Sequence, residues 1–335
     1  MHILRLKTSL IFLFFSLTGC DFDTSSARQA HIRIVGSTSV YTYATFVAEY
    51  FGKTTAFQTP IVEATGSGGG LNLFCRGAGL EHPDIVNSSR RISISERKIC
   101  RKNGVKNIIE VPIGYDGIVL GAHHSKTPLS LTRQELFLAL AEKIPFKGQW
   151  IPNPHKKWQD INPNFPAKKI MVLGPTSTLA TREVFEKLVI LEGCKRYTKG
   201  SKKCRKTLRE DGVFIEAAEH ENVIIQRIEM NPDAYGIFSF GFLDQNRNKV
   251  QALPIEKITP TAKNIATHIY PISRPLFFYV KGENIPLVKG MKAYVSEFLS
   301  AQASGKEGYL TDKGLIPLPE KKRKRVRKHV LKAFE

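Results

Sequence analysis

Four short stretches carry hydroxyl side chains where a strand-like apolar run gives way to a helical pattern. They are Gly36-Ser37-Thr38-Ser39, Ala64-Thr65-Gly66-Ser67-Gly68-Gly69-Gly70-Leu71, Asn87-Ser88-Ser89-Arg90-Arg91 and Gly174-Pro175-Thr176-Ser177-Thr178-Leu179-Ala180-Thr181-Arg182. Glycine and hydroxyl residues at a helix start let backbone N–H and O–H donors converge on one oxyanion, with the positive end of the helix dipole behind them. The chemistry this composition suits is anion binding. Nucleotide and nucleophile patterns fail on spacing. A dinucleotide fingerprint needs glycine where Leu71 stands, a nucleophile elbow needs it at Thr65, and the only Gly-Lys-Thr, at Gly52, lacks its upstream glycine because position 47 is Val47. The histidines give neither a base beside a serine nor metal-ligand spacing, so no catalysis, metal or cofactor is expected.

The elements that must position these turns follow from hydrophobic periodicity. His31 to Val35, Ile61 to Ala64 and Asp84 to Val86 read as strands. Tyr43, Phe46, Val47 and Tyr50 recur at helical spacing, which places Ser37 to Ser39 at a helix N-terminus, although Thr38 and Ser39 also suit plain N-caps. Ser93 with Glu96, and Thr132 with Glu135, form capping boxes. Ligands of open α/β sheets collect outside the carboxyl ends of the strands, so three successive hydroxyl turns converge there, with Arg90 or Arg91 as a fixed cation. Further along, Ile108 to Leu120 is a long β-rich run, and Ile170 to Leu173 and Tyr235 to Phe240 are strands. Arg182 to Leu188 and Glu221 to Ile228 are helical, while Pro145 to Pro166 reads as a loop whose Trp150 and Trp158 serve packing. A chain of 335 residues exceeds what one core usually supports, which favours two lobes.

The N-terminus reads as an export signal: Arg5 and Lys7, an apolar run through Phe15, then Leu17-Thr18-Gly19-Cys20. That ending resembles a bacterial lipobox, which implies lipidation of Cys20, and the Asp21 that follows implies retention on the periplasmic face of the inner membrane, or the cell surface in a Gram-positive host. Cys75, Cys100, Cys194 and Cys204 remain for an oxidising compartment; of three possible pairings, Cys75 with Cys100 and Cys194 with Cys204 is the economical one. The net charge of +20 is concentrated in Lys321 to Lys328. Export argues against nucleic acid as its partner, leaving a solvated tail or contact with anionic lipid headgroups.

The order of these turns, continued in Thr181-Arg182-Glu183-Val184-Phe185, resembles the phosphate-binding proteins of ABC-type phosphate transporters, within the periplasmic-binding-protein-like type II superfamily. The resemblance covers nearly the whole exported chain and implies an α/β fold of two lobes, with mixed sheets flanked by helices and a ligand cleft at a two-crossing hinge. It implies a leader at 1–19, a lipidated tether at 20–30, lobe 1 at 31–115 and 271–320, lobe 2 at 116–270 and a basic tail at 321–335. Ile108 to Leu120 and Ile269 to Leu276 would be the crossings, with Tyr115 and Asp116 lining the cleft. The implied function is capture of inorganic phosphate for an ABC permease by a monomer, without enzymatic activity, through Thr38, Ser39, Ser67, Gly68, Ser89 and Thr181. Other family members carry arginine, serine and glycine where this chain has Pro175, Leu179 and Ala180, and an aspartate where it has Ser89. Arg90 or Arg182 would then replace the missing cation, with Thr176 to Thr178 as substitute hydroxyls. The rival readings are a clamp for another oxyanion, such as sulfate or a phosphonate, and a non-transport surface protein on the same fold.

Overall fold

The computed structural model describes residues 31–126, 129–177, 179–218 and 221–335. The leader, Cys20, the tether and Thr178 lie outside them. The chain opens with three strand-helix units: β1 (Arg33–Gly36), α1 (Thr38–Thr54), β2 (Ile61–Ala64), α2 (Gly66–Phe74), β3 (Ile85–Ser88) and α3 (Ile94–Lys102). β1 lies between β2 and β3, parallel to both. The three carboxyl ends, and the hydroxyl turns after them, therefore open on one edge of the sheet.

Strand alternation divides the apolar residues between two layers. Ile34 and Ile85 face α1, whose Val40, Tyr43, Ala44, Val47 and Phe51 form its buried stripe. Val35 and Val86 face α2 and α3, where Leu71, Phe74, Cys75 and Cys100 are buried. The Cys75–Cys100 disulfide joins those two helices.

The middle of the chain contains β4 (Ile108–His123), α4 (Arg133–Leu140), β5 (Lys143–Phe146), β6 (Gln149–Pro152), β7 (Val172–Pro175) and α5 (Ala180–Phe185). α5 continues through a π-helical stretch, Glu186–Leu191, into α6 (Glu192–Tyr197); β8 (Phe214–Ala218), α7 (Glu221–Met230), β9 (Tyr235–Ser239), α8 (Phe240–Gln245), β10 (Val250–Ala252) and α9 (Ala262–Ala266) follow. The chain closes with β11 (Ser273–Lys281), α10 (Met291–Phe298), α11 (Ala301–Ser304), β12 (Ile316–Pro317) and α12 (Glu320–Lys332).

The sheet order is β2-β1-β3-β11-β4-β9-β7-β8. β11 runs antiparallel between β3 and the first part of β4, pairing Ser273 with Gly117 and Lys281 with Ile108. The later part of β4, Ile118 to Ala122, pairs instead with β9, which leads to β7 and β8. β4 thus belongs to both halves, and β11 returns beside it. Around the second half a separate core gathers Leu136, Phe137, Phe185, Ile190, Ile224 and Phe238. The result is a mixed α/β fold of two lobes, and the Cys194–Cys204 disulfide closes the basic loop after α6.

Two local expectations are corrected. Within the stretch read as a loop, β5 and β6 form a hairpin, because Lys147 (φ 48°) and Gly148 (φ 81°) both take the left-handed conformation that a tight two-residue turn requires. A lysine in the first turn position does not announce such a turn. Trp158 is buried edge-on to Tyr235, with ring centroids 5.3 Å apart, and serves packing as expected. The basic C-terminal segment is also not a frayed tail: it forms α12, whose Val330 is buried against the first lobe. Among the described residues no helix is long and apolar enough to cross a membrane.

Candidate functional site

The hydroxyl turns of the first lobe are drawn together by two glycines. A Cβ at Gly36 (φ 129°) would stand 2.2 Å from the Asn87 carbonyl oxygen, and one at Gly70 would stand 2.4 Å from the Gly36 Cα. Both contacts demand the absence of a side chain, so the ends of β1 and β3 and the first turns of α2 pack backbone to backbone. The Ser37 N–H donates to the Asn87 carbonyl at 2.9 Å across this junction.

The helix starts differ in what their hydroxyls do. Ser93 and Thr132 close the expected capping boxes on α3 and α4. Ser37 and Thr65, the N-caps of α1 and α2, make no side-chain cap bond. In the first turn of α1 the Val40 N–H bonds back to the Ser37 carbonyl at 3.1 Å, and neither cap side chain takes any first-turn N–H of α1 or α2. Beside them lies a cavity of about 740 Å³ lined by Thr38, Ser39, Ser67, Gly68, Ser89 and Arg90 from the first lobe. The Ser89 N–H donates to Ser67 Oγ at 3.1 Å, and the two hydroxyl oxygens are 3.1 Å apart. Either hydroxyl can donate to the other, so one of the two protons stays available to a third group.

Arg274, on the returning strand β11, lines this cavity together with Arg90, Arg91 and Lys187. Its guanidinium donates to Asp116 Oδ2 at 2.8 Å through Nη2 and at 3.1 Å through Nε, and Nη2 also donates to Ser39 Oγ. The arginine is fixed by the carboxylate and in turn leaves the Ser39 proton free to donate into the cavity. Lys187 and Val184 supply part of the opposite wall from the second lobe.

The other arginines are engaged as well, Arg91 with Glu110 at 3.0 Å. Arg90 lines the cavity, but its guanidinium forms a bidentate pair with Glu96 at 2.7 and 2.8 Å. Its hydrogen bond to that carboxyl, helped by the Ser93 N–H, holds Glu96 down at about 2, and Arg90 is raised in turn. Arg182 is buried over the Phe214 ring and donates to Glu186, Glu216 and the Pro175 carbonyl. It lines neither this cavity nor its neighbour. Its charge is spent inside the second lobe.

That neighbouring cavity, about 650 Å³, shares Thr38, Ser39 and Arg274 and adds Asp116, Thr181 and Glu221. Thr181 Oγ1 lies 2.5 Å from Glu221 Oε1, and the Ser239 N–H donates to Glu221 Oε2 at 2.8 Å. Burial raises the Glu221 carboxyl above its ordinary value, and the bonds from Thr181 and Ser239 oppose that shift. A neutral Glu221 donates to Thr181 and leaves the threonine proton for a ligand; an ionised one takes that proton for itself. Tyr115 does not line either cavity. Its hydroxyl accepts from Lys322 at 2.9 Å, at the strand crossing. Asp116 faces the cleft, in line with the sequence.

Arg274, Lys187 and Glu221 are not legible as site residues in the sequence. Their positions carry no motif: Arg274 is 235 residues from Ser39 and meets it only through the pairing of β11 with β4. Among the described residues no cluster of His, Cys, Asp or Glu could hold a metal ion.

The chain is similar to known proteins over most of its length. Residues 23–302 match the model of the PBP superfamily domain. Protein SphX of Synechococcus elongatus is 27% identical over 303 residues, covering 89% of this chain and 80% of its own. The phosphate-binding protein PstS of Staphylococcus saprophyticus is 26% identical over 303 residues, covering 89% of this chain and 83% of its own. A possible phosphate binding protein from Planctomyces limnophilus superposes with a TM-score of 0.69 at 22% identity, covering 91% of this chain and 99% of that one.

Proposed function

The chain belongs to the PBP superfamily, and from that premise we propose that it is a lipid-anchored extracytoplasmic receptor that captures inorganic phosphate and passes it to an ABC permease. The observation that carries this reading is the set of uncapped α1 and α2 starts, with their hydroxyls, around a cavity closed on its far side by the second lobe. Thr38, Ser39, Ser67 and Ser89 donate hydroxyl protons, Gly68 brings its backbone close, and Arg274 supplies the fixed positive charge. Thr181 and Lys187 are the second lobe's contribution on closure. Hydrogen bonds to an ionised acceptor are roughly twice as strong as neutral ones, and they form in full only when both walls reach the ligand. Phosphate therefore stabilises the closed form by differential affinity. Arg90 and Arg182 act through the Glu96 pair and the second-lobe network rather than as ligands. The lipid anchor at Cys20, the monomeric state, the lobe boundaries at 115–116 and 270–271 and the permease partner belong to the same proposal.

Isothermal titration with phosphate, sulfate and a phosphonate, at low and physiological salt, tests it. Saturable phosphate binding that persists at physiological salt, with sulfate ignored, is the expected result. Equal weak binding of every anion, or no binding of phosphate, would transfer the cleft to a non-transport role.

A further inference from the structure

The C-terminal helix α12 lies beyond the residues matched to the family and lines neither cleft cavity. Its inner face is fixed: Val330 is buried, Arg323 donates to the Leu299 carbonyl at 3.2 Å and Arg327 to Ser296 Oγ at 2.9 Å. The opposite face presents Lys321, Lys324, Arg325, Lys328 and Lys332, all exposed. At 3.6 residues per turn these five positions fall on one narrow stripe along the helix. Like charges at such spacings repel and weaken the helix that carries them. The single acid within the helix, Glu320, pairs with Lys324 at 2.6 Å and leaves the rest of the stripe uncompensated. Beside the stripe, between α12 and β4, runs a groove of about 750 Å³ lined by Ile108, Ile109, Val326, Arg325 and Lys332 and by Glu110, whose carboxylate is paired with Arg91 and Arg97.

We infer that α12 is a docking surface for an anionic phospholipid bilayer. The stripe lies opposite the face that anchors the helix, so it can meet a plane of phosphodiester headgroups without disturbing the lobe beneath. A polyanionic surface also removes the self-repulsion of the five cations. The adjoining groove places apolar side chains next to the charges, the same succession that a phospholipid presents from headgroup to acyl chain. Attraction of this kind grows with the number of basic residues and falls off within a Debye length. The cleft plays no part in it, so phosphate titration and membrane binding report on separate sites.

The test is vesicle sedimentation of the full chain, comparing phosphatidylcholine alone with equal parts phosphatidylcholine and phosphatidylglycerol. We expect about tenfold tighter binding to the mixed vesicles, declining as salt rises. Pure phosphatidylcholine measures whatever the apolar N-terminus contributes. Replacing Lys321, Lys324, Arg325 and Lys328 together by glutamine, a good helix former, should abolish the preference while leaving the circular dichroism and the phosphate titration unchanged. The control variant, Lys195, Lys202 and Lys203 to glutamine in the disulfide-closed loop, should retain it. Wild-type binding indifferent to phosphatidylglycerol, equal loss in the loop variant, or release from vesicles by inorganic phosphate at constant ionic strength would each overturn the inference.

Discussion

The two walls of the cleft are built on different plans. In the first lobe three parallel strands deliver three hydroxyl turns to one edge, and the helix starts above them are uncapped. In the second lobe Thr181 is bonded to the buried Glu221, and its neighbour Arg182 is turned inward to Glu186 and Glu216. In the proposed reading the first wall is arranged for an anion before any ligand arrives. The second can give its threonine proton only when its own carboxyl is neutral. Between them, Arg274 stands on β11, beside the strand β4 that serves both lobes, and is held by Asp116. If the cleft closes on phosphate as proposed, the asymmetry puts most of the recognition on one wall and uses the other mainly to close.

The sharpest way to break this comparison is at the crossing. Arg274→Ala removes the fixed cation and leaves Asp116 buried without its partner; loss of one member of such a pair costs about 3 to 5 kcal/mol. Phosphate affinity by titration should fall by at least a hundredfold, and an affinity within a few-fold of wild type would show that the charge comes from elsewhere. Ser67→Ala should cost about 1 to 3 kcal/mol of phosphate affinity, because it deprives the Ser89 N–H of its acceptor and the anion of a donor. An unchanged titration would remove Ser67 from the site.

Thr181→Val sharpens the contrast. Its loss should be smaller, about 0.5 to 1.5 kcal/mol, and a loss larger than that of Ser67→Ala would reverse the ranking of the two walls. Glu221 adds a pH dependence of known sign. Its folded-state value is raised by burial, so its contribution to stability is fully present below the unfolded value of 4.5 and is lost as pH rises through the folded value. Glu221→Gln should flatten that decline, and urea unfolding across the acid-to-neutral range would detect it; an identical pH profile in the variant would show that Glu221 ionises freely.

An effect on stability alone is expected at Glu96. Its carboxyl is held at about 2 against an ordinary 4.5, so its stabilisation is present above 4.5 and lost as pH falls toward 2. Glu96→Gln should cost about 1 kcal/mol at neutral pH, mostly the α3 cap, since the solvent-screened pair with Arg90 adds little. Equal urea midpoints for variant and wild type would show that the capping box contributes nothing measurable.

Much of the first lobe was legible because its signals are local. Each of its turns follows its own strand and precedes its own helix within a few residues, so apolar period and hydroxyl position can be read together. The capping boxes at Ser93 and Thr132 and the pairing of the four cysteines were legible for the same reason of short sequence separation. The C-terminal segment misled because its lysines and arginines outnumber the residues that anchor it. Arg323, Val326 and Val330 recur at helical spacing, yet what they pack against arrives from Leu299 and from β4, distant in the chain.

By itself, then, the amino-acid order determined the α/β class, the three converging turns, the hydroxyls of Thr38, Ser39, Ser67 and Ser89, and the anionic character of what they suit. Those depend on backbone conformation and polarity within a few residues. Only the tertiary structure decided what each candidate cation pairs with. Arg90, Arg182 and Arg274 all carry the same charge, and their roles differ only through their neighbours: Glu96 for the first, Glu186 and Glu216 for the second, Asp116 and Ser39 for the third. Those neighbours are brought into place by strand register and burial, and no local pattern encodes them.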